Sequence, residues 1–297
     1  METSVAASPA VFAAFSRLID YAGLFPPAQL AMPQAQAEYR QARSGPYAWM
    51  LGRFITPLKL LEEAAQSVLG PFSVIAGAPD IERLAALRNA GAAIETIEMP
   101  LATGNDDEGT VRESLQQLRV ALDQLGLGDL PVYLEFVRSP ENALSIEGAL
   151  SAAASARFGA KLRCGGVTGD AFPSPDEVAR FVASATAAGV PFKATAGLHH
   201  PVRHFNAQSG FVMHGFLNIL AAAALAARVD LATLGRLVAE EDPNAFGFDA
   251  SAMRWREQRI DVARLRETRE QVFVAYGSCS FAEPVDDLTA LGILTAR

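Results

Sequence analysis

Residues 159–195, GAKLRCGGVTGDAFPSPDEVARFVASATAAGVPFKAT, decide the fold. A short apolar run, Gly159 to Cys164, ends in the glycines Gly165 and Gly166. Ser174-Pro175-Asp176-Glu177 then reads as a capping box with proline in the first helical turn, where its missing N–H costs nothing. Val178, Phe181, Val182 and Ala185 recur at helical spacing from Glu177 to Ala188. A second run, Pro191 to Thr195, closes the unit. Two strands joined by one crossover helix predict a parallel pair.

The same alternation extends outward in both directions. Further runs are Leu18 to Leu24, Gly52 to Thr56, Phe72 to Gly77, Ile94 to Met99, Val132 to Val137 and Val272 to Tyr276. Helical spacing fills Asp80 to Ala90 and Val111 to Leu125. Each run is followed by proline near the next helix start: Pro26 and Pro27, Pro57, Pro79, Pro100, Pro140, Pro175, Pro201 and Pro284. Thr56-Pro57 and Ser139-Pro140 read as cap plus proline, and Ser280-Phe281-Ala282-Glu283 as a second capping box. Eight such units predict one (β/α)8 barrel domain over residues 1–297 rather than an open doubly wound sheet. The glycine fingerprint of the open sheet is absent after the first run, where Gly23-Leu24-Phe25-Pro26 stands.

Two stretches depart from the repeat. Val11 to Phe15 is expected to cap the bottom of the barrel. More than seventy residues separate the last two strands. They hold an Ala- and Leu-rich helix within Gly210 to Val229, a second helix near Leu231 to Glu240, and an irregular stretch from Asp242 to Arg269.

Composition bounds the function. Half of the 297 residues are apolar and the net charge is −8, which disfavours a nucleic-acid partner. His214, Asn218 and Arg228 interrupt the most apolar stretch, so a buried or interface helix is expected there rather than a membrane span. That helix could join copies in a homo-oligomer. No secretory signal is read at the N-terminus, and the cytoplasm is the expected compartment. The two cysteines, Cys164 and Cys279, form neither a CxxC pair nor a disulfide framework.

Strand parity places the polar residues. Residues at i and i+2 share a face, which groups Thr96 with Glu98, Tyr133 with Glu135, Lys161 with Arg163 and Lys193 with Thr195. The apolar residues between them, Ile97, Leu134, Leu162 and Ala194, belong against the helices. The polar set therefore points into the lumen, where unpaired charge is costly. Two carboxylates against two lysines and an arginine leave a positive excess, which suggests a small anionic substrate, a carboxylate or phosphate ester. Gly197 follows the seventh strand. Gly277, Ser278 and Ser280 follow the eighth at a helix start, where an anion is favoured.

All four histidines fall between His199 and His214. His199 or His200 is a candidate acid/base. No cofactor fingerprint is present. If a divalent metal is bound, Glu98, Glu135 and His199 are the candidate ligands. Cys164 has the parity of the outer face. Cys279 lies near a helix start that favours a thiolate, although burial accounts for either cysteine. Asp20 or Tyr21 could reach the site, though the apolar loop that follows reads as a wall or lid.

Two resemblances add to this. Asp20 to Ala28, Gly159 to Gly166, Phe192 to Arg203 and Gly277 to Leu288 resemble a family of bacterial and plant aldolase-type barrels without an assigned reaction. Lys193-Ala194-Thr195-Ala196-Gly197 is similar to the strand motif of deoxyribose-phosphate aldolases, whose lysine forms a Schiff base. Lys161 before Gly165 and Gly166 is similar to that family's second lysine, with the order of the two motifs reversed. The resemblance implies an aldolase-type barrel more than that specific activity; the first expectation is a Schiff-base lyase in which Lys193 is the nucleophile, with a pKa depressed by the like charges of Lys161 and Arg163. Glu98 or Glu135 would carry protons. The alternatives are metal-assisted lyase or isomerase chemistry, and a barrel that binds without turnover.

Overall fold

The computed structural model describes residues 7–68, 70–101, 106–136, 144–166, 168–207 and 209–295. Eight parallel strands close into a barrel: β1 Ile19–Tyr21, β2 Leu51–Pro57, β3 Phe72–Ile75, β4 Ile94–Leu101, β5 Val132–Phe136, β6 Gly159–Arg163, β7 Phe192–Thr195 and β8 Phe273–Ser278. Each strand pairs with its neighbours in sequence, and β8 pairs with β1 to shut the ring. The (β/α)8 barrel is therefore the fold.

The quoted unit forms as its residues dictate. The helix Pro175–Ala187 is opened by the Ser174–Glu177 capping box, in which each side chain bonds the other's backbone. The expected helices after β3 and β4 are Ile81–Asn89 and Glu108–Gln124. Val178, Phe181, Val182 and Ala185 are buried, as are the outer strand residues Ile97, Leu134, Leu162 and Ala194. The parity argument thus holds on its apolar side.

The prolines fit less uniformly. Pro79 and Pro175 stand in first turns, whereas Pro57 ends β2 and Pro100 lies inside β4. Proline is tolerated there because Ile97 N–H points to the β5 side, donating to the Pro131 carbonyl. The missing N–H of Pro100, three residues on, therefore falls on the β3 side, beyond the last residue of that strand. Thr56 sits within β2 and caps no helix. Ser139-Pro140 and the end of the fifth run at Val137 lie outside the described residues. Pro201 follows β7 in a bend, not a helix. Ser280 accepts from the Glu283 N–H, which is half of the expected box.

The insertion between β7 and β8 is more structured than its sequence suggests. His204–Asn206 and Phe211–Met213 form a hairpin. Phe246–Phe248, Ala252–Trp255 and Gln258–Asp261 form a three-stranded antiparallel sheet. The helix Val262–Gln271 then leads into β8. The Ala-rich segment contracts to the helix Phe216–Leu225, all ten residues of which are buried. This corrects the interface reading, because the chain's own neighbouring elements cover the helix. Asn218 explains how a polar residue sits there: its amide donates to the Leu237 and Glu240 carbonyls, both at 2.9 Å, and its oxygen accepts from Arg203 N–H. Among the described residues no helix is long and apolar enough to cross a membrane. The expected N-terminal cap is the helix Pro9–Phe15, whose Phe12 stacks on Trp49 and whose Phe15 packs on Phe248.

Candidate functional site

The lumen holds a ladder of alternating charge. At its base the Arg53 guanidinium lies 3.7 Å from Asp20, whose Oδ1 also accepts from Arg53 N–H at 2.7 Å. Lys193 Nζ lies 2.7 Å from Asp20 Oδ2 and also bonds Glu98 Oε1. Glu98 Oε2 is 2.7 Å from Lys161 Nζ, which is 2.9 Å from Glu135 Oε2. Arg163 closes the series on Glu135 Oε1 at 2.7 Å. Hydroxyls complete the coordination: Lys193 Nζ donates to Ser73 Oγ at 3.0 Å, Ser73 donates to Glu98, and Thr96 donates to Ser73. The Tyr133 ring lies 5.7 Å from Lys193 Nζ. Its phenol is pushed up to about 12 by burial.

From Asp20 upward exposure rises toward the C-terminal mouth, while the Arg53 side chain at the base is 19% exposed toward the other end. Asp20, Glu98 and Lys193 are at most 1% exposed and Lys161 is 7% exposed. The Glu135 side chain is 13% exposed and that of Arg163 50%. The upper end of the ladder therefore opens at the C-terminal mouth.

Two expectations change. Asp20 is a third lumen carboxylate and Arg53 a fourth cation, so the members of the expected count change while its excess of one positive charge stays. Nor is Lys193 an amine depressed by like charge. Burial works to lower its pKa, but Asp20 and Glu98 outweigh burial and raise it. Lys193 is a held ammonium. Burial alone would push Glu98 up, yet the charges of Lys161 and Lys193 hold it well below the usual carboxylate range. Glu135 is likewise lowered, against burial, by Lys161 and Arg163.

The histidines separate into different settings. His199 Nδ1 lies 3.1 Å from Glu283, and Cys279 Sγ lies 3.8 and 3.9 Å from the two ring nitrogens. Burial disfavours charge on this ring, but Cys279 and Glu283 outweigh it and raise the pKa to about 9. His200 Nδ1 meets Asp287 at 2.5 Å, with the His204 ring edge-on at 4.4 Å. His214 is 2% exposed and bonds the Pro173 carbonyl. Glu98, Glu135 and His199 do not assemble as a ligand set: the two glutamates face the lysines, and His199 faces Cys279 and Glu283. Among the described residues no group of three or more His, Cys, Asp or Glu is placed to hold a metal.

The loops after β7 and β8 close the mouth. Gly197 has φ +70°, and a Cβ there would stand 3.3 Å from the Cys164 carbonyl, so glycine is required for the close approach of the β6 and β7 ends. A Cβ on Gly277 would meet Ile55 at 3.0 Å and Thr195 Oγ1 at 3.5 Å, which places Thr195 beside the end of β8. The Gly277 to Ser280 segment spends its polar groups internally: Ser278 Oγ donates to the Ser280 carbonyl at 2.6 Å. Glu283, in the first turn of the helix Ala282–Ala290, supplies the negative charge expected there of a ligand. Cys164 is fully buried, and burial pushes its thiol up.

Sequence reading named Glu98, Tyr133, Glu135, Lys161, Arg163 and Lys193, and the structure gathers them along one ladder. It missed Arg53 and Ser73, and it left Asp20 open. The single acid in the run Leu18-Ile19-Asp20-Tyr21 was the available signal. It also did not join Cys279 to His199, which are eighty residues apart.

No protein-family model matches the chain, and no curated protein matches it. Among solved structures it is similar to Rhizobium etli pyruvate carboxylase with the allosteric activator acetyl coenzyme A, at 10% identity and a TM-score of 0.37, over 86% of this chain and 27% of that one. It is also similar to the carboxyl transferase domain of the same enzyme with pyruvate and biocytin, at 12% identity and a TM-score of 0.31, over 78% and 37% of the two chains. The chain thus spans between a quarter and two fifths of those lengths. Likenesses this distant add nothing to the reading of the site.

Proposed function

We propose that the chain is a lyase of the aldolase type, which takes a small carbonyl substrate bearing a carboxylate or phosphate and works through a lumen lysine. The gradient of exposure supports this, and it favours Lys161 over Lys193. A Schiff-base amine must be reached by a carbonyl carbon and must lose its proton. Lys193 is sealed beneath Glu98. Lys161 is the upper amine, beside Glu135 on the side that opens toward the mouth, and the half-exposed Arg163 above it can face an anionic group.

The reaction would proceed in balanced steps. Lys161 gives up its proton to water entering from the mouth, and its free amine adds to the carbonyl carbon. The carbinolamine takes a proton and loses water to give an iminium. The Cα–Cβ bond then breaks as the Cβ hydroxyl gives its proton to a base at the mouth: the Cβ fragment leaves as the first carbonyl product, and the bond's electron pair enters the iminium to form an enamine. Protonation and hydrolysis return the amine and the second product. Lys193, held as a cation by Asp20, keeps Glu98 ionised throughout. Arg163 binds the substrate anion and Thr195 lines the approach, whereas Tyr133, near the start of β5, lies too deep to do so. His199 or His200 would carry a proton at the mouth.

Borohydride reduction with a panel of small 2-oxo acids and hydroxyaldehydes tests the reading. Peptide mass mapping is expected to find the reduced adduct on Lys161, with loss of the adduct in Lys161→Met. An adduct on Lys193 alone, or none across the panel, would refute it.

A further inference from the structure

A second cavity lies at the other end of the barrel. It encloses about 470 Å³ and is lined by Phe12, Ser16, Arg17, Arg53, Tyr133, Arg266, Arg269 and Glu270, among others. Arg17 precedes β1, and Arg53 and Tyr133 lie near the starts of β2 and β5, so this is the N-terminal mouth. A volume of this size accommodates a small organic ligand.

Its charge is unbalanced. Four arginines line it against one glutamate. Glu95, just outside, is shared: its Oε2 lies 2.6 Å from Arg17 and 3.1 Å from Arg53. Arg269 is only 9% exposed. Its guanidinium donates to the Phe273 and Ser16 carbonyls, and its Nε has no partner. Among the described residues neither Arg266 nor Arg269 has a carboxylate partner. Burial lowers the Arg269 pKa to about 10, and Arg53 adds like-charge repulsion. A buried guanidinium without a counter-anion is costly. The cost is greater where a second guanidinium lines the same cavity.

We infer that the N-terminal mouth is a binding site for a small polyanion, whose phosphate or carboxylate oxygens pair with Arg269, Arg266 and Arg53. Guanidinium forks match such groups in paired hydrogen bonds. The site is separate from the catalytic mouth proposed above and does not depend on it. Arg53 touches both the cavity and Asp20 at the base of the ladder, so occupancy also alters the charge beneath Lys193.

Titration calorimetry with inorganic phosphate and with citrate tests the inference on the full chain. One saturable site for either probe is expected. Arg269→Met should weaken it by at least about tenfold, since a lost charge-assisted hydrogen bond is being read, and Arg266→Ser by several-fold. Arg163→Met, at the opposite mouth, should leave it unchanged. If Arg269→Met does not fold, the exposed Arg266 decides the matter. No saturable binding of either probe overturns the inference, as does binding indifferent to Arg266→Ser. Binding abolished by Arg163→Met overturns it too, by placing the anion at the catalytic end.

Discussion

Neutralising Glu98 measures whether the ladder is buried as an ionic network. Glu98→Gln keeps the shape of the side chain and removes its charge. Lys193 would retain Asp20 and Lys161 would retain Glu135, but two buried ammoniums would lose the carboxylate they share. Removing one partner of a buried ion pair costs about 3–5 kcal/mol, because the charge left behind stays desolvated. At about 3 °C per kcal/mol for a chain of this class, the melting temperature should fall by roughly 10 °C. Urea unfolding followed by circular dichroism at pH 7 reads the difference directly. The exposed pair Arg88–Asp129 provides the control: its contacts are 2.6 Å, yet Asp129 is 66% exposed, so Asp129→Asn should cost under about 1 kcal/mol. The pH dependence has a definite sign. The pKa of Glu98 is depressed, so its contribution is present above the ordinary range and is lost as pH falls through the folded value. Wild type should therefore lose more stability on acidification than Glu98→Gln. A loss below about 1 kcal/mol in Glu98→Gln at pH 7 would refute the argument, since it would mean that the pairs are effectively solvated.

The mouth carries further expectations. His199, raised to about 9, stabilises the fold fully below its unfolded value and loses that contribution as pH rises through about 9. The interval corresponds to roughly 3 kcal/mol. Cys279→Ser should move the His199 titration, followed by proton NMR, towards the ordinary imidazole value, and an unchanged midpoint would remove the sulfur as its cause. Arg163→Met should raise KM for the anionic substrate while leaving kcat within a few-fold, and a fall in kcat alone would give Arg163 another role. Asn218→Ala strands the Glu240 carbonyl and the Arg203 N–H and should cost about 2–4 kcal/mol in denaturant unfolding; a loss under about 1 kcal/mol would mean that water replaces the amide.

The fold was legible because the barrel strands are largely buried on both faces and the helices between them on one, so composition alternates with the architecture; the fully buried helix Phe216–Leu225 belongs to the insertion. The same parity exposed the upper ladder: in β4 to β7 two polar residues share a face and apolar ones flank them. Asp20 was harder, since β1 has three residues and offers no second polar position to set a phase. Ser73 hid in an otherwise apolar run for the same reason. The insertion was misread because its strands are three or four residues long, too short for period-two alternation to stand out, and Arg254 and Arg259 break the apolar run. The contact of Cys279 with His199 depends on how β7 and β8 end side by side. It is a property of the closed barrel that no local pattern carries. The sign of the Lys193 shift was misjudged because like charges were counted without the acid on β1.

Whether the ladder serves stability or chemistry can be separated by removing a part of it that leaves every remaining charge paired. Filling a lumen with apolar side chains is at least as stabilising as filling it with paired charges, because desolvation offsets the attraction. Replacing Glu98, Lys161 and Lys193 together by Leu, Met and Met leaves Asp20 with Arg53 and Glu135 with Arg163, so no buried charge loses its last partner. Ser73 and Thr96 still bond each other. The triple variant should therefore be within about 2 kcal/mol of wild type or more stable, and well above Glu98→Gln, the non-additivity expected of residues in one network. It should also form no reduced adduct and turn over no substrate. A stable, inert triple variant would mean that the charges are there for the reaction at the mouth. A triple variant less stable than Glu98→Gln would mean that the ladder is a structural staple, and the lysine chemistry proposed for it would lose its main support.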